Sequence, residues 1–223
     1  MIALELHLRI VENKDWATGL FILSFGLIVL TRSLFENRFH DFIRLIISDK
    51  YLKIYKESNH LVGGFTLFLF TTNLISFSFF IQLIFHHLGY GLKTDWVLFV
   101  QIFTFLTIFI LAKFLVERII ATTFGIEELI EGFNLQKVSF RTYLGVLLLP
   151  VTIMLFYNDI LTDTLLYALI TILLVINVLT YLFSLKIYQN LIISKLFYFI
   201  LYLCALEIGP YYFLYYLIKK FRG

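Results

Sequence analysis

The chain has 223 residues, of which 61% are apolar, 19% aromatic and only 15% charged, with a formal net charge of +3. Soluble domains run at roughly 45–50% apolar, so this composition excludes an ordinary soluble fold and points to repeated membrane crossings. The lone cysteine, Cys204, excludes an internal disulfide and a cysteine-built metal site within one chain, and the small charge, set beside apolar runs, excludes a nucleic-acid-binding patch.

Residues 1–15, MIALELHLRIVENKD, carry three acids against Arg9 and Lys14, and no small-x-small cleavage site follows the next apolar run. They read as an outer N-terminal tail before a retained anchor, not as a secretory signal. Apolar runs then predict membrane segments at 16–34, 61–85, 96–116, 142–157 and 162–185, with a sixth at 192–218. Between the first two lies a segment over 36–58. Its Phe39, Phe42, Ile43, Ile46 and Ile47 share one helical face, while Arg38, Asp41, Arg44 and Ser48 fall elsewhere. That pattern predicts an amphipathic helix lying along the interface.

Past the third segment the helix is expected to continue as a solvated, salt-laced end. Lys113 and Glu117 are four apart, Arg118 follows, and Glu127, Glu128 and Glu131 come after. The fourth segment is short. The expected whole is a single all-α integral membrane domain over 1–223. It is a polytopic helix bundle of about six transmembrane segments plus one interfacial amphipathic helix.

Positive charge sets the expected orientation. With the N-terminus outside, Arg32, Arg38, Arg44, Lys50, Lys53, Lys56, Lys113, Arg118, Lys137 and Arg141 all face inward, and Trp16 and Trp96 both reach the outer interface. The last segment resists this scheme. Six full spans leave Lys219, Lys220 and Arg222 outside, whereas a re-entrant last segment would bring them in. Its 27 residues would cover roughly 40 Å as a helix, enough to cross, which favours a kinked sixth span.

That last segment holds LEIGPYYFLYY, residues 206–216. Pro210 cannot donate to the Leu206 carbonyl, and Gly209 removes resistance to bending. A freed carbonyl beside the Glu207 carboxyl makes a cluster of oxygen acceptors inside the membrane, able to hold a proton, a cation or a donor from another helix. Apolar surroundings favour the neutral carboxylic acid. Glu207, Gly209 and Pro210 therefore form the candidate intramembrane polar site. Asn73, Gln82, Gln101 and Asn177 are the possible polar partners for a purely structural role.

Tyr211, Tyr212, Tyr215 and Tyr216 read as an interfacial belt. The histidines do not form the matched pairs that a membrane haem requires. His86 and His87 could at most join Asp95, Asp159 or Asp163 at the surface. No HExxH, GxSxG or phosphate-loop motif occurs, so the chain reads as non-enzymatic, with no cofactor and no metal expected.

The Asp15–Trp16 pair entering the first segment, the basic amphipathic stretch after it and the terminal LFYFILYLCALEIGP together resemble a family of Bacteroidota integral membrane proteins classed as a domain of unknown function. The resemblance covers roughly 10 to 218, and Tyr202, Cys204, Glu207 and Pro210 are its most specific part. It implies a compact multi-span protein of the bacterial inner membrane and supplies no activity.

Three functions remain open. One is a non-enzymatic subunit or assembly factor of a cell-envelope complex, whose partners are the lipid bilayer and another membrane protein or a second copy. The second is a small proton- or ion-coupled transporter using Glu207 at a broken helix. The third is a lipid-acting enzyme built on His86 and His87.

Overall fold

A computed structural model describes residues 14–46, 63–125, 127–158 and 160–187, together with Gly209 and Tyr212. Within them the chain is all-helical. Helix α1 spans Asp15–Leu34, α2 Glu36–Ile43 with a 3-10 turn at Arg44–Ile46, α3 Gly64–His87, α4 Trp96–Phe124, α5 Glu127–Tyr157 and α6 Asp163–Ile187. Five of these, all but α2, are long and apolar enough to cross a membrane. The sixth expected segment and most of the 36–58 stretch beyond Ile46 lie outside the described residues.

The antiparallel order gives the bundle two ends. At the tryptophan end, Trp16 meets Trp96 edge-on at 5.0 Å, the Thr18 and Tyr157 hydroxyls bond at 2.5 Å, and His87 Nε2 meets Asp163 Oδ1 at 2.5 Å. Among the described residues, eight of the ten lysines and arginines lie toward the other end, and only Lys14 and Lys93 stand at the tryptophan end. The second is accordingly the basic end.

Helix α3 is the centre. Some 61% of its span is buried, against 11% for α4 and 11% for α6, and it packs against α1, α4 and α5 while α6 leans on α5. At the tryptophan end Phe79 is fully buried among Phe21 at 4.3 Å, Phe99 at 4.5 Å, Phe156 at 5.4 Å and Trp16 at 5.6 Å. Trp16 and Phe21 stack on Phe79 while Phe156 meets it edge-on, offset-stacked and edge-to-face arrangements that add to the area the rings bury. The Asp95 carboxylate starts α4 by accepting from the backbone N–H of Val97 at 2.9 Å and of Leu98 at 3.3 Å, satisfying donors the first helical turn leaves open.

Two boundaries differ from the hydropathy reading. Helix α4 does not run on into the Glu127–Glu131 stretch: Gly125 closes it at φ +61°, the left-handed conformation glycine adopts without penalty, and those acids belong to α5. Helix α5 in turn starts fifteen residues before the expected 142. Its first turns carry Asn134, Gln136, Ser139 and Thr142, which look like loop in sequence but are buried. The fourth crossing is therefore not short. Pro150 stands inside α5 on its exposed side.

Helix α2 also departs from the expected face. Phe42 and Leu45 pack with Phe65 and Leu69 of α3, so this face meets the bundle. Arg38, expected off the apolar face, is 8% exposed; its guanidinium lies 4.4 Å above the Phe65 ring, and Nη2 donates to Thr66 Oγ1 at 3.4 Å. Ile43, expected on the apolar face, is exposed. The cause is a cation–π contact with a helix far away in sequence, which helical periodicity does not encode.

Candidate functional site

Two groups of buried polar side chains stand out among the described residues, a seam between α3 and α5 and an ionic cluster at the basic end. The seam is tightest at Gly145. A Cβ there would overlap the Asn73 carboxamide and stand 2.9 Å from the Asn73 Cα, so only glycine permits this approach of the two helices. Asn73 is 1% exposed, and its Oδ1, like Ser76 Oγ and Gln136 Oε1, is buried with no hydrogen-bond partner among the described residues. An unmet buried acceptor costs about 1–3 kcal/mol.

At the basic end, Glu117 is only 4% exposed. Its Oε1 lies 3.8 Å from Lys113 Nζ on the same helix and 3.6 Å from Lys137 Nζ on α5. Lys137 Nζ also sits 4.9 Å from the centre of the Phe133 ring, and that ring meets Tyr181 of α6 edge-on at 5.5 Å. The Glu117 carboxylate thus stands between two ammonium groups, one from each helix, and ties α4 to α5. Counting from Trp96, Glu117 lies ~31 Å along α4 at 1.5 Å per residue, about the thickness of the hydrocarbon layer. The cluster thus falls at the membrane boundary and is buried, not solvated as the Lys113–Glu117 spacing suggested. Sequence reading missed Lys137 as the third member. Its available signal was the polar stripe Asn134, Lys137 and Arg141 along α5.

The proposed intramembrane site is covered only at Gly209, which is helical and half-buried; Glu207 and Pro210 lie outside the described residues. Its four possible partners go to separate places. Asn73 is in the seam. Gln82 is buried at the tryptophan end, where its Nε2 donates to the Asp95 carbonyl at 2.8 Å and the Leu92 carbonyl at 3.5 Å, holding the α3–α4 connection. Gln101 is exposed on α4. Asn177 is exposed on α6, its Nδ2 donating to the Leu173 carbonyl at 2.9 Å.

The histidine pair is likewise divided. His86 Nδ1 contacts the Gly91 carbonyl at 3.0 Å, His87 meets Asp163, and Asp95 caps α4. No group of three or more His, Cys, Asp or Glu side chains converges as a metal site among the described residues.

Five apolar helices, one of them buried at the centre, with polar contacts at the seam and the basic end, define an all-α membrane-helix bundle. The chain belongs to the family described as a domain of unknown function (DUF4271), which matches residues 17–218. No curated protein and no solved structure matches it.

Proposed function

We propose that the chain is a non-enzymatic subunit or assembly factor of a cell-envelope complex, one that docks other membrane helices in the bacterial inner membrane. The carrying observation is the carboxamide of Gln101. It is exposed on α4, the crossing helix with 11% of its span buried, about 8 Å along the helix from Trp96 and so inside the hydrocarbon. An amide facing lipid leaves donors and acceptors unmet, whereas a partner helix would supply them. The ring cluster around Phe79 fills the space between α1, α3, α4 and α5, which suits a static scaffold better than a moving carrier.

The bacterial inner membrane, a Bacteroidota origin and an N-terminus outside belong to the same reading. They are supported by the LYLCALEIGP resemblance and by the concentration of cations at the basic end. In a Cys204→Ala background, a cysteine at Thr94 should react with an impermeant maleimide in spheroplasts, and one at Asn37 only after permeabilisation. The reverse pattern would invert the topology.

Docking itself is tested by the mass of the particle extracted in native nanodiscs. The chain should leave the membrane with another membrane protein or a second copy, and Gln101→Leu should weaken that association several-fold, as for one interhelical hydrogen bond. A lone monomer in native nanodiscs would sink the docking role.

One observation favours a second reading. Glu117, with Lys113 and Lys137, is an ionisable group buried in a long apolar helix, a feature that marks proton and ion pathways. In that reading Glu207, Gly209 and Pro210 would supply the coupling site. Flux into liposomes that is pH-dependent and lost in Glu207→Gln would select it; flux unchanged by that substitution would remove it.

A further inference from the structure

A groove of about 240 Å³ opens between α5 and α6, lined among others by Lys137, Arg141, Phe140, Leu144, Asn177 and Val178. Its volume is several times the ~30 Å³ share of one water. Measured from the tryptophan ends of their helices, Lys137 stands ~30 Å along α5, Arg141 ~24 Å along α5 and Asn177 ~21 Å along α6 at 1.5 Å per residue. The wall therefore runs from the hydrocarbon boundary to several ångströms inside it. Phe140, Leu144 and Val178 give the groove an apolar side, beside the two cations.

The charges around it are unequal. Lys137, which also approaches Glu117, and Arg141 both stand in the groove wall, and no acid lines it among the described residues. A basic recess between membrane helices that opens at the hydrocarbon boundary is the arrangement that holds anionic lipid headgroups, and the long Arg141 side chain can reach that level from inside. Arginine's planar fork suits two oxygens of one phosphate. Asn177 gives one amide hydrogen to Leu173 and keeps its second for an incoming oxygen.

We propose that the groove between α5 and α6 binds the phosphodiester headgroup of an anionic phospholipid, with Arg141 and Lys137 as its cationic contacts, Asn177 as its amide contact and the apolar side covering the start of an acyl chain. This assignment stands apart from the docking role, since it uses neither Gln101 nor the rings around Phe79.

The test uses the full chain in detergent, followed by native mass spectrometry with phosphatidylglycerol or phosphatidylcholine added. The wild type should retain phosphatidylglycerol in preference to phosphatidylcholine. Arg141→Gln, which leaves the Glu117 triad intact, should lower that retention about fivefold, the change expected for one basic residue at an anionic surface. Arg141→Lys should keep most of it, which separates loss of charge from misfolding, and Arg118→Gln on the exposed part of α4 should change nothing. Equal retention of the two lipids by the wild type, or undiminished phosphatidylglycerol in Arg141→Gln, would overturn the site. Ready displacement of the lipid by millimolar inorganic phosphate would make it a soluble-anion site and overturn the lipid assignment.

Discussion

At the tryptophan end, six rings from four helices (Trp16 and Phe21, Phe79, Trp96 and Phe99, Phe156) fill the space between them. At the basic end α2 is joined to α3 through Arg38 over Phe65, and α4 to α5 through Glu117 between two lysines. Both ends are buried, yet their energetics differ. Ring packing depends on shape and is lost outright when a ring is removed. The ionic contacts involve long side chains that reach headgroup water when released. The tryptophan end should therefore behave as the rigid part of the bundle and the basic end as the adaptable part.

The sharpest way to break that contrast is Phe79→Ala. The side chain touches rings from α1, α4 and α5 at once, so truncation leaves a cavity shared by four helices. The expected cost is about 3–5 kcal/mol, the range for buried phenylalanine, read from unfolding of the purified chain in mixed micelles. A loss under about 1 kcal/mol would show that the rings are loosely packed, well below what a filled core position gives.

Next in size is Gly145→Ala, in the seam between the two ends. The added methyl meets the Asn73 backbone as well as its side chain, so α3 and α5 must separate. An overpacking cost of about 1–3 kcal/mol is expected, and Asn73→Ala in the same chain should recover only part of it, because the methyl still collides with the backbone of residue 73. Full recovery would place the whole conflict in the carboxamide.

Smaller again is Asp95→Ala, which removes the cap of α4 beside the rings. The loss should be about 1 kcal/mol, typical of an N-cap, with faster amide exchange confined to Val97 and Leu98. Exchange rising along the whole of α4 would mean that the cap, not Trp96 and Phe99, holds the helix in place.

Much of the tryptophan end is legible in the sequence, because its signals are local. Apolar runs delimit α1, α3, α4 and α6, and Trp16 and Trp96 fall at the same depth once the spans alternate. The basic end is harder for a physical reason: its residues are polar by type and buried by context. Asn134, Gln136, Ser139 and Thr142 interrupt the apolar run and push the apparent start of the fourth crossing to 142, although the helix runs from Glu127. The Lys113–Glu117 pair is visible at i, i+4, but Lys137 joins it only because Gly125 reverses the chain. Arg38 is buried by Phe65 and Thr66 across a segment no periodicity crosses. The Gly209–Pro210 break is legible as chemistry, and its partners are not, since hydropathy gives no register between helices.

The smallest effect should come from Glu117→Gln, and its size decides what the basic end is. Removing the carboxylate takes away the charge that Lys113 and Lys137 both approach. If the cluster lies at the headgroup boundary, both ammonium groups turn outward to water and phosphate, and the cost stays near 1 kcal/mol or below, as for partly solvated pairs. Leaving charges unpaired in a dry interior costs about 3–5 kcal/mol instead. The lipid around the chain separates the two cases further. In anionic bilayers the freed lysines gain phosphate partners, so Glu117→Gln should be better tolerated there than in zwitterionic ones. A large loss that ignores lipid charge would mean that the triad is a locked internal strut, and the contrast between a rigid end and an adaptable end would fail.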